Sequence, residues 1–398
     1  MANTLEQAGA TDLTKTGKSP HIVFLVTEDW FFVSHFLPMA RAAREMGLRV
    51  TVVTRVRDHR AAIEAVGARV VALEAERRSL NPIAVLRALR DLKRVLREEQ
   101  PDIVHCIALR SIILGGFAAP RDTAAVYALT GLGFLGARQD FVGHAARRLV
   151  RGFRRIFWDG PRTCYLFENE DDALALGLDP ADGSRVALAG GAGVNLAQFP
   201  VFPLSTDGDL RIAVVARMLW SKGIDTAVEA LSRARAAGAP VSLSLFGAPD
   251  PSNPRAVPEE TLRLWNTLPG ITWHGPTRDV AGVWRNHDVA CLPSRGGEGL
   301  PRTLLEAGAC GRAIVTTNVP GCRRLVRNGI EGFVVPPDDP EALAQAFISL
   351  ANDRESVRRM GDAAHRRVAD AFTERHVMDT VKAVYANLLA AGQQKVVS

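Results

Sequence analysis

The chain has 398 residues, 47% of them hydrophobic and 23% charged, which is enough apolar material for more than one core and too much for a disordered protein. Its 49 Lys and Arg against 43 Asp and Glu leave a net charge of +6, mostly an arginine excess. Five cysteines (Cys106, Cys164, Cys291, Cys310, Cys322) are scattered, with no CxxC pair and no histidine at zinc spacing; this excludes a disulfide scaffold or zinc finger and fits small core residues in a reducing compartment.

Residues 1–20 are polar and charged, lack the apolar centre of a secretory signal, and are expected to be a disordered tail. Strand and helix patterns then alternate: a strand over 21–27, a loop, an amphipathic helix over 35–46 closed by Gly47, and a strand over 49–54. Further helices are expected over 59–66, 82–98 and 111–118, with strands over 69–73, 103–106 and 124–128. The longest uncharged apolar stretch, 124–137, falls short of the roughly 20 residues a membrane-spanning helix needs. Next, Arg147, Arg148, Arg151, Arg154, Arg155 and Arg162 interleave with Phe153, Ile156, Phe157 and Trp158. This reads equally as an amphipathic segment lying on an anionic membrane and as an arginine-rich helix whose apolar face packs on its own domain. No RNA-binding or zinc-finger signature accompanies the charge, which disfavours nucleic acid as a partner. Strands over 163–167 and 185–187 complete a first domain, 21–199, which ends in the glycine-rich joint Gly190-Gly-Ala-Gly193.

After a proline-flanked linker at 200–203, the same alternation restarts in a second domain, 200–375. Strands are expected over 210–216, 241–247, 271–274, 289–292, 313–317 and 333–335, with helices over 223–237, 259–268 and 280–286. The fold class implied is α/β, two doubly wound Rossmann-like sheets facing across a cleft, with chemistry at the carboxyl ends of the strands.

Two motifs fall at such ends. In Ala213-Val-Val-Ala-Arg217-Met-Leu-Trp-Ser-Lys222-Gly223, a strand leads through an Arg and a Lys into a helix; a forked guanidinium and a compact ammonium together suit the two phosphates of a diphosphate. In Glu298-Gly-Leu-Pro-Arg-Thr-Leu-Leu-Glu306, Pro301 suits the first position of a helix. The free N–H groups beyond it form an anion pocket. Glu298 can accept hydrogen bonds from sugar hydroxyls, and Glu306 can hold a ribose diol. Taken singly, each residue has an ordinary reading, a surface cation or a carboxylate near a helix start.

From Ser294 to Asp339 the chain closely resembles the donor-binding signature of family 4 glycosyltransferases, whose usual form runs EGxPxxLLEAMACGxPVV, then a Gly turn, then GxLVPPxD. The Arg217–Gly223 segment resembles the same family's VGRLxxxKG. Gly308 departs from the pattern, standing where a larger apolar residue is usual. The resemblance spans nearly the whole chain from about residue 21 and implies a GT-B fold, with a crossover helix over 376–391 returning to the first domain. It implies a retaining, metal-independent transferase with no cofactor, moving a hexosyl group from a nucleoside-diphosphate sugar, UDP ahead of GDP, to a lipid-linked or polysaccharide acceptor. Glu298, Arg217 and Lys222 are then the expected catalytic residues, and Glu306, Gly299, Leu300, Pro301, Thr303, Leu304 and Gly193 the expected donor contacts.

In the first domain, Thr27-Glu-Asp-Trp-Phe-Phe-Val-Ser-His35-Phe-Leu-Pro38 replaces the family's usual Gly-rich loop and resembles a subgroup acting on lipid-linked sugars in bacterial surface glycan assembly. The missing Gly loop also argues against a dinucleotide dehydrogenase. Glu28, Asp29 and His35 are candidate acceptor contacts, and Trp30, Phe31 and Phe32 either face a lipid or sugar ring or pack as an aromatic loop. A histidine usual in relatives is Ile107 here, leaving His105 to supply that sugar contact or to be structural. Gly131, in Gly131-Leu-Gly133, matches a loop where acceptor enters. The expected location is cytoplasmic, with 147–162 as a peripheral contact to the inner face of the membrane. A sugar-nucleotide epimerase and a non-catalytic sugar-nucleotide-binding subunit on the same fold are the alternatives.

Overall fold

A computed structural model describes residues 19–74, 82–131, 141–205, 207–250 and 253–397. Most of the expected tail, and Leu132 and Gly133, lie outside these. The chain forms two compact units, one running to Val126 and taking in the chain again from Lys382, the other comprising Tyr127–Val381.

Thirteen strands are described, β1 His21–Glu28, β2 Arg49–Arg55, β3 Arg69–Ala72, β4 Ile103–Ile107, β5 Ala124–Leu129, β6 Thr163–Phe167, β7 Val186–Leu188, β8 Leu210–Val215, β9 Val241–Phe246, β10 Ile271–Gly275, β11 Val289–Leu292, β12 Ala313–Thr317 and β13 Gly332–Val335. They form a seven-stranded sheet of order β3-β2-β1-β4-β5-β6-β7 and a six-stranded sheet of order β10-β9-β8-β11-β12-β13. The paired registers run parallel. Parallel strands sandwiched between helix layers need apolar side chains on both faces. β8 shows it: Leu210, Ile212 and Val214 enter one core with the helices Ile224–Ala236 and Pro340–Asn352. Ala213 joins the opposite core with the helices Arg302–Ala309 and Arg354–Ala371. The two doubly wound sheets expected from the sequence are therefore present.

In each sheet the strand order reverses once, between β1 and β4 and between β8 and β11. Ligands of open parallel sheets bind outside the carboxyl ends at such a reversal. Those ends carry Glu28 and Ile107 in the first sheet and the segments running to Arg217 and to Ser294 in the second.

Two local expectations are corrected. The loop after β1 is instead a helix, Asp29–His35, followed directly by Leu37–Glu45 with Pro38 in its first turn. The aromatic run drives this: Phe32 and Phe36, four apart, fall on one face, are both buried, and stack with centroids 6.3 Å apart. The arginine-rich segment is not one amphipathic helix: the helix Phe141–Phe153 is followed by a π-helical turn, Arg154–Trp158. That turn swings Arg154 and Trp158 inward, leaving them 3% and 6% exposed.

Candidate functional site

At the reversal in the second sheet, the chain leaves β8 through Arg217, makes a short 3-10 turn over Trp220–Lys222, and enters the helix Ile224–Ala236 through Gly223. Gly223 has φ +68°, and a Cβ there would overlap the carbonyl oxygen of Pro293, so only glycine lets the loop after β8 lie against the loop after β11. This contact brings Lys222 to Glu298. Nζ lies 2.6 Å from Oε1 and 2.9 Å from Oε2, and both side chains are largely buried. Ser294, fully buried, donates its Oγ proton to Glu298 Oε1 at 2.6 Å, and Thr317 Oγ1 fixes the Ser294 carbonyl from β12 at 2.5 Å. Arg217 stands at the rim, half exposed, 3.6 Å from Asp250. Its guanidinium is reachable by an anion.

The signature helix begins one residue later than expected: Pro301 is its N-cap, with ψ 114°, and Arg302 the first helical residue. The N–H groups of Arg302 and Thr303 lie in the opening turn, where no intrahelical carbonyl can meet them. Thr303 Oγ1 is buried and lacks a hydrogen-bond partner. An anion with several acceptor oxygens fits such donors. Glu306, in the next turn, is 6% exposed and takes a hydrogen bond from Arg302 Nε at 2.7 Å. Burial pushes its carboxyl above the usual range, and the Arg302 charge opposes that.

Other residues expected near the donor have partners within the chain. Leu304 is a core side chain whose N–H donates to the Pro301 carbonyl at 3.0 Å. The Leu300 N–H donates to Glu168 Oε2 at 2.7 Å. Gly193, φ +68°, gives its space to the backbone of Glu374, 2.7 Å from where its Cβ would stand. Gly131, expected where the acceptor enters, likewise gives its space to backbone: its Cβ would stand 2.6 Å from the Gly299 nitrogen.

In the first unit, Asp29 is fully buried and accepts hydrogen bonds from the N–H groups of Arg57 (2.6 Å), Trp30 (2.7 Å) and His59 (3.1 Å). Burial works against its charge, but the three donors outweigh that and hold its pKa below the ordinary value. It fastens the loop after β2. Glu28 lies 3.6 Å from Arg55, and His35 Nδ1 lies 2.6 Å from Ser34 Oγ. His105 is fully buried, stacked on Phe24 at 4.9 Å, with Nδ1 2.8 Å from the Tyr385 hydroxyl and Nε2 without a hydrogen-bond partner. Desolvation lowers its pKa to about 3, so it is a neutral core residue with no surface for a ligand.

Sequence reasoning missed Glu168 and Asn169, which follow β6. Glu168 holds the Leu300 N–H; Asn169 caps the helix Glu170–Ala175 through the N–H of Asp172 and donates its amide to the Gly299 carbonyl at 3.4 Å. The available signal was the strand-end run Phe167-Glu-Asn-Glu-Asp-Asp172, an acidic cap directly after a buried strand.

No helix among the described residues is long and apolar enough to cross a membrane. The family model described as "Glycosyl transferase 4-like" matches residues 21–157, and that described as "Glycosyl transferases group 1" matches 209–353. The N,N'-diacetylbacillosaminyl-diphospho-undecaprenol alpha-1,3-N-acetylgalactosaminyltransferase of Campylobacter jejuni is 25% identical over 343 residues, covering 81% of this chain and 87% of that protein. The capsular polysaccharide biosynthesis glycosyltransferase CapM of Staphylococcus aureus is 25% identical, over 46% of this chain and 48% of its own length. Among solved structures, a glycosyltransferase from Rickettsia africae matches with a TM-score of 0.74 at 16% identity, over 94% of this chain and 99% of its own. HepE of Anabaena, in complex with UDP and glucose, matches with a TM-score of 0.71 at 15% identity, over 92% and 99%.

Proposed function

The chain belongs to the family 4 glycosyltransferases, with the Rossmann-like sheets of the GT-B fold, and from that premise we propose that it transfers a sugar from a nucleoside diphosphate, UDP ahead of GDP, to a lipid-linked or polysaccharide acceptor in bacterial surface glycan synthesis, with retention at the anomeric carbon. The observation that carries the reading is the Lys222–Glu298 pair beside the opening turn of the helix Arg302–Ala309, at the point where the strand order of the second sheet reverses.

Breaking the anomeric bond develops negative charge on the departing diphosphate, so catalysis belongs to whatever stabilises that charge. Lys222 supplies a compact cation, Arg217 a forked one, and the opening turn of the helix its N–H groups and dipole. Glu298, aligned by Lys222 and Ser294, faces the sugar hydroxyls, and Glu306 takes the ribose diol in exchange for part of its contact with Arg302. UDP is supported by the complexes of HepE, and a lipid-linked acceptor by the undecaprenol diphosphate named for the Campylobacter relative.

The exposed Phe141, Leu149, Ile156 and Phe157, with Arg148 and Arg155 among them, support peripheral contact with an anionic membrane, where such an acceptor would reside. The test is incubation of UDP-sugars with and without membrane extract. Nucleotide release that needs the extract is expected; release without it would point to an epimerase or hydrolase, and none to a binding subunit.

A further inference from the structure

One peptide plane in the signature, that joining Gly299 to Leu300, is held at both ends by consecutive side chains from elsewhere in the chain. Its N–H donates to Glu168 Oε2 at 2.7 Å, and its carbonyl accepts from Asn169 Nδ2 at 3.4 Å. This plane and the peptide before it are also enclosed by backbone. A Cβ on Gly321 would overlap the Gly299 carbonyl oxygen, and one on Gly131 would stand 2.6 Å from the Gly299 nitrogen. Gly299 itself has no room for a side chain, because a Cβ there would overlap Glu168 Oε2. Glu298 immediately precedes this plane, so fixing the plane fixes where the Glu298 carboxylate can reach.

We propose that Glu168, with Asn169, is a positioning residue for sugar transfer: it clamps the Gly299–Leu300 peptide and thereby aims Glu298. This deepens the reading of Glu298 given above and rests on it. The charged groups around Glu168 are Asp172, on the helix Glu170–Ala175, and Glu298, with Lys222 bound to Glu298 beyond. Glu170 and Asp171 on that helix are paired with Arg324 and Arg323. Burial, then the charges of Asp172 and Glu298, push the Glu168 carboxyl up to about 8, while the Leu300 N–H pulls the other way. A carboxyl pushed up in this way can still accept the Leu300 N–H through Oε2 in its neutral form, which adds no second negative charge beside Glu298. Ionisation at higher pH places that charge there and displaces Glu298 from the sugar.

The test measures kcat and donor KM, from acceptor-dependent nucleotide release, between about pH 6 and about pH 9. The proteins are the wild type, Glu168→Ala, Glu168→Gln and Glu298→Gln. Glu168→Ala should lower kcat about tenfold with a smaller change in KM, the scale set by losing one hydrogen bond to a buried amide. Glu168→Gln, which mimics the protonated acid, should stay within about twofold of wild type at neutral pH and should lack the wild-type decline near pH 8. Wild-type turnover in Glu168→Ala, a Gln variant as impaired as Ala, or an unchanged alkaline decline in Gln would each overturn the proposal. Full activity in Glu298→Gln would instead overturn the assignment of Glu298, and with it the route by which the clamp acts.

Discussion

Lys222 and Glu298 form a charge pair with little access to water, so removing one partner leaves the other buried and uncompensated. Lys222→Ala should lower kcat by about 100-fold or more, the scale of losing one donor to a developing oxyanion. Steady-state kinetics would expose the error if turnover stayed near normal. Lys222→Arg keeps the charge but not the shape, because a planar guanidinium is bulkier than the ammonium and its further N–H groups would need partners in a largely buried site; an intermediate loss is expected. His105 makes a prediction of a different kind. Its pKa is depressed from 6.5 to about 3, so its neutral form is the folded one. The stability it contributes is present above pH 6.5 and is lost as pH falls from there toward 3, by roughly 1.4 kcal/mol per unit. Denaturant melts of the wild type and of a His105→Phe variant, compared across that interval, should show a steeper acid loss in the wild type; parallel curves would rule this out.

The helix Phe141–Phe153 and the π turn after it sort the arginine-rich segment into two populations. Arg154 is drawn into a bidentate pair with Asp159, both bonds 2.8 Å, with its guanidinium 5.6 Å over the Tyr165 ring. Trp158 is buried beside Tyr127 and Phe153. Ile156 and Phe157, in the same turn, are 74% and 49% exposed. Membrane contact is thus tested on the outward pair alone. Ile156→Ser with Phe157→Ser should release the protein from anionic vesicles in a sedimentation assay with only a small fall in melting temperature, since it removes the packing of Phe157 on Phe153, centroids 4.6 Å apart, but leaves the buried Trp158 in place. Vesicle binding equal to wild type would refute the contact. Trp158→Ser would test folding instead. From composition these residues look alike, because interleaved arginines and aromatics carry no mark of where a π turn rotates the chain by a fraction of a turn. The aromatic stretch after β1 misled for a similar reason: with Glu28 and Asp29 ahead of it, it reads as loop, and the packing of Phe32 against Phe24 and Phe36 that accompanies the helix leaves no mark in the order of residues.

At the scale of the whole molecule, a ligand that binds only the folded chain stabilises it by mass action. UDP at about 100 times its dissociation constant adds about 2.7 kcal/mol, which for a chain of this size raises the melting temperature by roughly 3 °C. Thermal-shift titration with UDP, GDP and ADP should give that rise for UDP first; no shift with any of them would undo the donor reading. The sheets and the C-terminal motif were legible because each is local. A strand buried on both faces is an apolar run, and the donor signature packs its carboxylates, proline and helix start into nine consecutive residues. What was not legible is what folding brings together across distance. Glu168 meets Leu300 from 132 positions away, and His105 meets Tyr385 from 280. Neither pairing leaves a periodicity or a spacing to read.

The first unit draws on both early and late chain, since the stretch from Lys382 packs with residues before Val126 and sets Tyr385 against His105. On a ribosome, then, the strands before Val126 wait for the helical stretch that carries Tyr385. At about 5 to 20 residues per second, the intervening stretch takes on the order of 10 to 50 s to emerge. Throughout that interval the nascent unit lacks its closing piece and is a natural client for chaperones.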